Sequence, residues 1–183
     1  MIIKELVFGM EKKKPSSCIS YELSLFSDQD LYLFNEGTLL DAYNKLGAHL
    51  IDEGEDQGVY FALWAPNAKE VSLIGDFNDW KGGSYPLKPR GTSGIWEGFV
   101  PGLAPGTLYK YLIVSQYGDY RVAKADPYGF LQERPPGAAS IIWNLAYNWQ
   151  DKNWMETRSK LNGFKAPISI YEVHLGSWIR DSQ

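Results

Sequence analysis

The residues whose types could do acid–base chemistry are Asp76 and Asp79, Glu172 and His174, and the isolated Asp126 and His49. Asp76 and Asp79 stand three apart in a turn rich in glycine and asparagine, where an aspartate normally bonds its own backbone. Asp126 precedes Pro127, a turn-starting dipeptide, and takes the same reading. Glu172 and His174 share one face of the alternating run Ile170-Tyr171-Glu172-Val173-His174-Leu175-Gly176-Ser177-Trp178, which reads as a strand. His49 follows a segment of helical spacing, where a cation suits a helix C-terminus. No glycine-rich phosphate loop, Ser-His-Asp arrangement or metal-ligand spacing is present. Hence no catalytic residue, no metal and no cofactor is expected.

The sequence is better supplied for binding. Aromatics make up 15% of its 183 residues, with seven Trp and twelve Tyr. Most serve a β-rich core, because each buries a large area and fits a pleated sheet. Trp64 and Trp96 lie inside strand-like runs and read as core. Trp80 follows directly on the turn Phe77-Asn78-Asp79, and a loop placement favours exposure. A flat aromatic face with a few hydrogen-bonding groups beside it suits a ring such as a sugar.

The elements that would position these groups follow from periodicity. Thr38 with Asp41 forms a capping-box pattern, and Leu39, Leu40, Tyr43 and Leu46 fall at helical spacing before Gly47. That predicts a short helix near 38–46. From Gly58 to Ile142 the period is two, with strands expected at 59–65, 71–75, 94–100, 108–114, 120–124 and 140–143, and one more at 20–26. Short strands with frequent turn signals and no crossover helix describe an antiparallel, immunoglobulin-like β-sandwich. Asp151 caps a helix to Lys160, with Glu156 and Lys160 as an i,i+4 pair. Gly163 to Pro167 reads as a spacer.

Composition excludes several classes. A net charge of −4 gives no basic face for nucleic acid. Cys18 is the single cysteine, so no internal disulfide forms, and a reducing compartment such as the cytoplasm is expected. No apolar stretch approaches the roughly 20 residues of a membrane span.

Three motifs carry a resemblance. Gly75-Asp76-Phe77-Asn78-Asp79-Trp80, Gly106-Thr107-Leu108-Tyr109-Lys110-Tyr111 and Lys124-Ala125-Asp126-Pro127-Tyr128 resemble successive motifs of carbohydrate-binding module family 48. Leu33 to Thr38, Lys45 to His49 and Tyr171 to Trp178 narrow the likeness to 1,4-α-glucan (glycogen) branching enzymes, over residues 31 to 183. The resemblance implies an α-glucan partner (glycogen, starch or maltooligosaccharides). It implies glucan contacts from Trp80 by stacking and Lys110 by hydrogen bonds. Asn78 joins them from the same turn, and Tyr117 is the candidate second aromatic, with Tyr120 as its alternative. Trp80 as a core plug and Lys110 as a snorkelling strand lysine stand beside these roles.

The expected organisation is an N-terminal extension over 1–55, a sandwich over 56–145, a helix and linker over 146–167, and the first strand of an incomplete (β/α)8 barrel over 168–183. A barrel needs on the order of 250 residues, so the catalytic carboxylates of such an enzyme lie outside this chain. The alternatives are a free-standing glycogen-targeting or regulatory module, and the N-terminal part of a debranching or trehalose-forming relative.

Overall fold

The computed structural model describes residues 19–53, 56–118, 120–161 and 163–178. Residues 1–18 of the expected extension, Cys18 among them, and residues 179–183 lie outside it. The chain divides into two compact units between Leu145 and Ala146.

The first unit contains two antiparallel sheets. One has the order β1 (Gly47–Glu53), β2 (Asp56–Trp64), β5 (Ile95–Pro101), β4 (Lys88–Pro89). The other runs β3 (Ala68–Gly75), β6 (Leu108–Ser115), β9 (Ser140–Ile141), β8 (Leu131–Gln132), and β7 (Arg121–Lys124) also pairs with β6. The expected sandwich is therefore the observed fold. Its core is the interface of the two sheets: Val59, Phe61, Leu63, Trp96 and Val100 from the first, Val71, Leu73, Tyr109 and Tyr111 from the second. The segment 85–87 bonds along β3, with Leu73 N donating to Tyr85 O at 2.9 Å and Leu87 N to Val71 O at 2.8 Å. It then continues as β4 on β5. This crossing covers an edge of each sheet, which would otherwise present unpaired backbone groups.

β2 shows why alternation alone understates burial. Val59 to Leu63 are all buried, on both faces. Tyr60 and Ala62 turn away from the inter-sheet core into a second cluster with Ile95, Phe99, Phe26, Ala42 and Leu46. Residues 23–46 thus form a layer over the outer face of the first sheet. Helix α1 (Asp28–Glu36) belongs to this layer. Ser27 caps it: Asp30 N donates to Ser27 Oγ at 3.2 Å, and Ser27 N donates to Asp30 Oδ2 at 2.8 Å. Lys45 closes the same carboxylate at 2.9 Å and donates to Leu25 O.

The helix expected near 38–46 is not formed. Gly37 stops α1 in the left-handed conformation at φ +77°, and Thr38 N bonds back to Leu33 O. Thr38 therefore ends one helix instead of starting another; only a 3-10 turn, Ala42–Asn44, follows. The expected strand at 20–26 is a single bridge, Ser20 to Phe99. Residues 47–53, placed in the extension by the sequence pattern, are strand β1, and β4 and β8 were not foreseen at all.

The second unit carries α2 (Lys152–Leu161) and a single helical turn, α3 (Leu175–Trp178). Glu156 pairs with Lys152 at 4.0 Å and not with Lys160. The run expected as a barrel strand is irregular over 167–174. A parallel strand is held by bonds to neighbouring strands, and among the described residues none pairs with it. No helix among the described residues is long and apolar enough to cross a membrane.

Candidate functional site

The motif Gly75 to Trp80 follows β3 as a 3-10 turn, Asp76–Asn78, and an abrupt reversal. Gly75 is required by contact: a Cβ there would lie 2.2 Å from Leu108 O of the neighbouring strand. Asn78 ties the turn. Its Oδ1 accepts from Gly75 N at 2.9 Å, and its Nδ2 donates to Leu73 O at 3.0 Å and Lys81 O at 2.9 Å. With its amide committed to backbone, Asn78 has no free donor for a ligand. Its place is structural.

Asp79 and Trp80 are both left-handed, at φ +53° and +61°, a conformation that side chains other than glycine rarely hold and that costs of order 1 kcal/mol or more. The reversal turns the indole to the surface, 39% exposed. Asp76 then fixes it: Oδ1 accepts from Trp80 Nε1 at 3.2 Å, while Oδ2 accepts from Leu108 N at 3.4 Å. Asp76 is thus a positioning residue that sequence reasoning assigned only to its own turn. The i,i+4 spacing of Asp76 and Trp80 was the available signal.

Strand register places the lysine. Ile74 pairs with Lys110, one residue before Gly75 pairs with Tyr109. Tyr109 and Tyr111 point into the core, so Lys110 points out, on the face where the Trp80 loop lies. Among the described residues its ammonium has no ion pair or hydrogen bond. Leu112 follows on the same face, covered by the loop at Gly82, where a Cβ would meet Leu112 Cδ2 at 2.3 Å. Lys110 and Leu112 therefore project from the face over which the loop after Trp80 passes.

Tyr117 does not join it. It lies 69% exposed beyond the end of β6, and Lys110 to Ser115 alone spans about 17 Å of strand. Tyr120 is likewise at the hairpin end, where its carbonyl accepts from Ser115 N. The residue facing Leu112 from β7 is Ala123, so no aromatic from that strand flanks the lysine. The hairpin's length decides this.

The acid–base candidates resolve individually. Asp126 makes the expected turn, accepting from Tyr128 N at 2.8 Å. It is also only 3% exposed and accepts from Tyr109 Oη at 2.6 Å and Tyr111 Oη at 3.2 Å. Burial raises its pKa against these hydrogen bonds, and burial beside the carboxylate raises both tyrosines. His49 lies in β1, not at a helix end, with Nε2 at 2.9 Å from Leu46 O. His174 Nδ1 contacts Ser177 Oγ at 2.8 Å, and Glu172 is exposed. Trp96 is 9% exposed, its Nε1 donating to Ala65 O. Trp64 is 54% exposed, edge-on to Phe34, so it is not the core residue expected from its place in a strand. Among the described residues, no group of three or more His, Cys, Asp or Glu is placed to hold a metal ion.

A two-sheet sandwich with an oriented surface indole and an unpaired lysine has the form of a sugar-binding module. Residues 45–129 match the family Carbohydrate-binding module 48 (Isoamylase N-terminal domain). The chain is 50% identical over 160 residues, 87% of its length, to the 1,4-alpha-glucan branching enzyme GlgB of Aquifex aeolicus. It is 52% identical over 155 residues, 84% of its length, to the enzyme of the same name from Albidiferax ferrireducens. It spans 25% and 24% of the lengths of these two relatives. The crystal structure of PulA from Klebsiella oxytoca superposes with a TM-score of 0.45 at 27% identity, over 55% of this chain and 10% of that one.

Proposed function

We propose that this chain is the α-glucan-binding region of a 1,4-α-glucan branching enzyme, holding glycogen, starch or maltooligosaccharide chains through Trp80 and Lys110. The whole enzyme would cleave an α-1,4 link and transfer the released chain to a 6-hydroxyl, making an α-1,6 branch. Its barrel, with an aspartate nucleophile and a glutamate acid/base, would be this region's partner. A cytoplasmic location accords with one cysteine in 183 residues.

The observation that carries the reading is Trp80. Two consecutive left-handed residues turn its ring outward, and a carboxylate fixes the ring's edge. Backbone strain of this kind concentrates at functional positions. An indole face supplies the apolar half of sugar recognition, and the unpaired Lys110 ammonium supplies donors for hydroxyls.

The test is retention on insoluble starch and titration with maltoheptaose. Trp80→Ala should abolish retention while changing stability by less than about 1 kcal/mol, the range of a surface substitution. Retention equal to that of the parent chain removes the reading.

A further inference from the structure

The outer face of the second sheet holds another constellation, further along β6. Register sets Glu70 of β3, Val114 of β6 and Arg121 of β7 side by side in one row. With Ser72 and Pro86, and with Val71, Leu87 and Trp96 from the adjoining core, they line a cleft of about 220 Å³. The row lies about 13 Å along the strand from Lys110. Gly82 separates the two places: a Cβ there would lie 2.3 Å from Leu112 and 3.9 Å from Arg121 Nη2, so the glycine lets the loop lie flat on the sheet.

Glu70 and Arg121 stand about 10 Å apart, two strand spacings. Both are exposed, and among the described residues neither makes an ion pair or hydrogen bond. Unpaired surface charges are ordinarily just solvated; here they flank a cleft whose apolar lining includes Val114, Pro86 and the edge of the core at Trp96. An anion drawn by Arg121 would be repelled by Glu70, and a cation the reverse. A neutral polyhydroxylated ring satisfies both, accepting from the guanidinium and donating to the carboxylate. The cleft is smaller than drug-sized pockets, roughly 300–1,000 Å³, and suits one ring.

We propose that this cleft is a second subsite for one neutral glycosyl unit, taken from the same glucan chain that Trp80 and Lys110 hold. The proposal rests on the glucan-binding reading. It makes the module sensitive to chain length: a short oligosaccharide fills only the Trp80 subsite, and a longer one crosses the loop at Gly82 to reach the cleft.

The experiment titrates the 183-residue chain and its variants with maltotriose and with maltoheptaose, following heat and backbone amide shifts. Arg121→Gln and Glu70→Gln should each weaken maltoheptaose about tenfold, the loss of a charge-assisted hydrogen bond, and leave maltotriose unchanged. Trp80→Ala should weaken both. In the parent chain the amides of Ser72 and Val114 should shift with maltoheptaose and not with maltotriose, a readout that does not depend on any variant folding. Undiminished maltoheptaose binding by Arg121→Gln, or still Ser72 and Val114 amides while Trp80→Ala loses both ligands, overturns the subsite and leaves the Trp80 reading standing. A parent chain that binds neither oligosaccharide overturns both.

Discussion

The outer faces of the two sheets have opposite fates. Residues 23–46 cover the first: Phe26, Ala42 and Leu46 are packed on Tyr60, Ala62, Ile95 and Phe99. Even its charge is sealed in, with Glu97 accepting from Tyr60 Oη at 2.5 Å and Ser24 Oγ at 2.9 Å, and facing Arg90 Nε at 3.4 Å. The second face carries Lys110, Glu70 and Arg121, unpaired among the described residues, with the turned-out Trp80 beside them. The two sheets share a fold and a core, so strand chemistry does not distinguish them. What distinguishes them is whether polar groups on the face find protein partners. On the covered face they stabilise the protein; on the open face their hydrogen-bonding capacity is turned to solvent.

Substitutions sharpen this contrast. Phe99→Ala, in the covered layer, should cost about 3–5 kcal/mol of unfolding free energy, as for other large-to-small core changes, measured by urea titration. Glu97→Ala should cost about 2 kcal/mol, because it takes the carboxylate acceptor from the buried Tyr60 hydroxyl, while Arg90 keeps Phe26 O and Asp28. Tyr60→Phe leaves the carboxylate other donors and should cost about 1 kcal/mol. If either carboxylate-cluster variant proves neutral, the covered face is not a stabilising interface.

Acid should affect the covering layer through Asp30. The Ser27 hydrogen bond, with Lys45 beside it, lowers its pKa from 3.8 to about 2. A lowered folded value means stability that is present above 3.8 and is lost as pH falls toward about 2. Asp126, raised by burial, works in the opposite sense: its contribution is full below the usual carboxylate range and declines as pH rises through its folded value. Urea midpoints of Asp30→Asn between pH 2 and about 5 should therefore fall less steeply with acid than those of the parent. The smallest stability effect belongs to the open face. Lys110→Ala should change stability by less than about 0.5 kcal/mol yet weaken binding to maltoheptaose. A loss of several kcal/mol would show the lysine stem to be a packing element instead.

Much of this was legible in the residues. The alternation from Val59 to Leu63 and from Leu108 to Val114 marks strands, the Gly75-to-Trp80 motif marks a sharp turn ending in an aromatic, and Pro127 marks the turn at Asp126. Each is a local signal, set by backbone sterics within a few residues. The helix at 28–36 starts at a capping box of Ser27 and Asp30, but the regular apolar spacing behind Thr38 is the more conspicuous helical pattern. Thr38 bonds the end of α1 in place of starting a helix, and only the left-handed Gly37 before it decides which way its hydroxyl works. For Trp64, strand placement suggested burial, but position on a strand says nothing of what covers its end.

By itself, then, the sequence determined the period of the elements, the antiparallel sandwich, the turn that carries Trp80 and the likeness to carbohydrate-binding module family 48. Tertiary structure alone decided that Lys110 points to the face over which the Trp80–Gly82 loop passes while Tyr117 lies beyond the end of β6, that Asn78 is consumed by its own turn, and that Glu70 and Arg121 share one row. The physical reason is register. A hairpin several residues longer, or a pairing shifted by one, leaves every local propensity unchanged and yet moves a side chain many ångströms or to the opposite face.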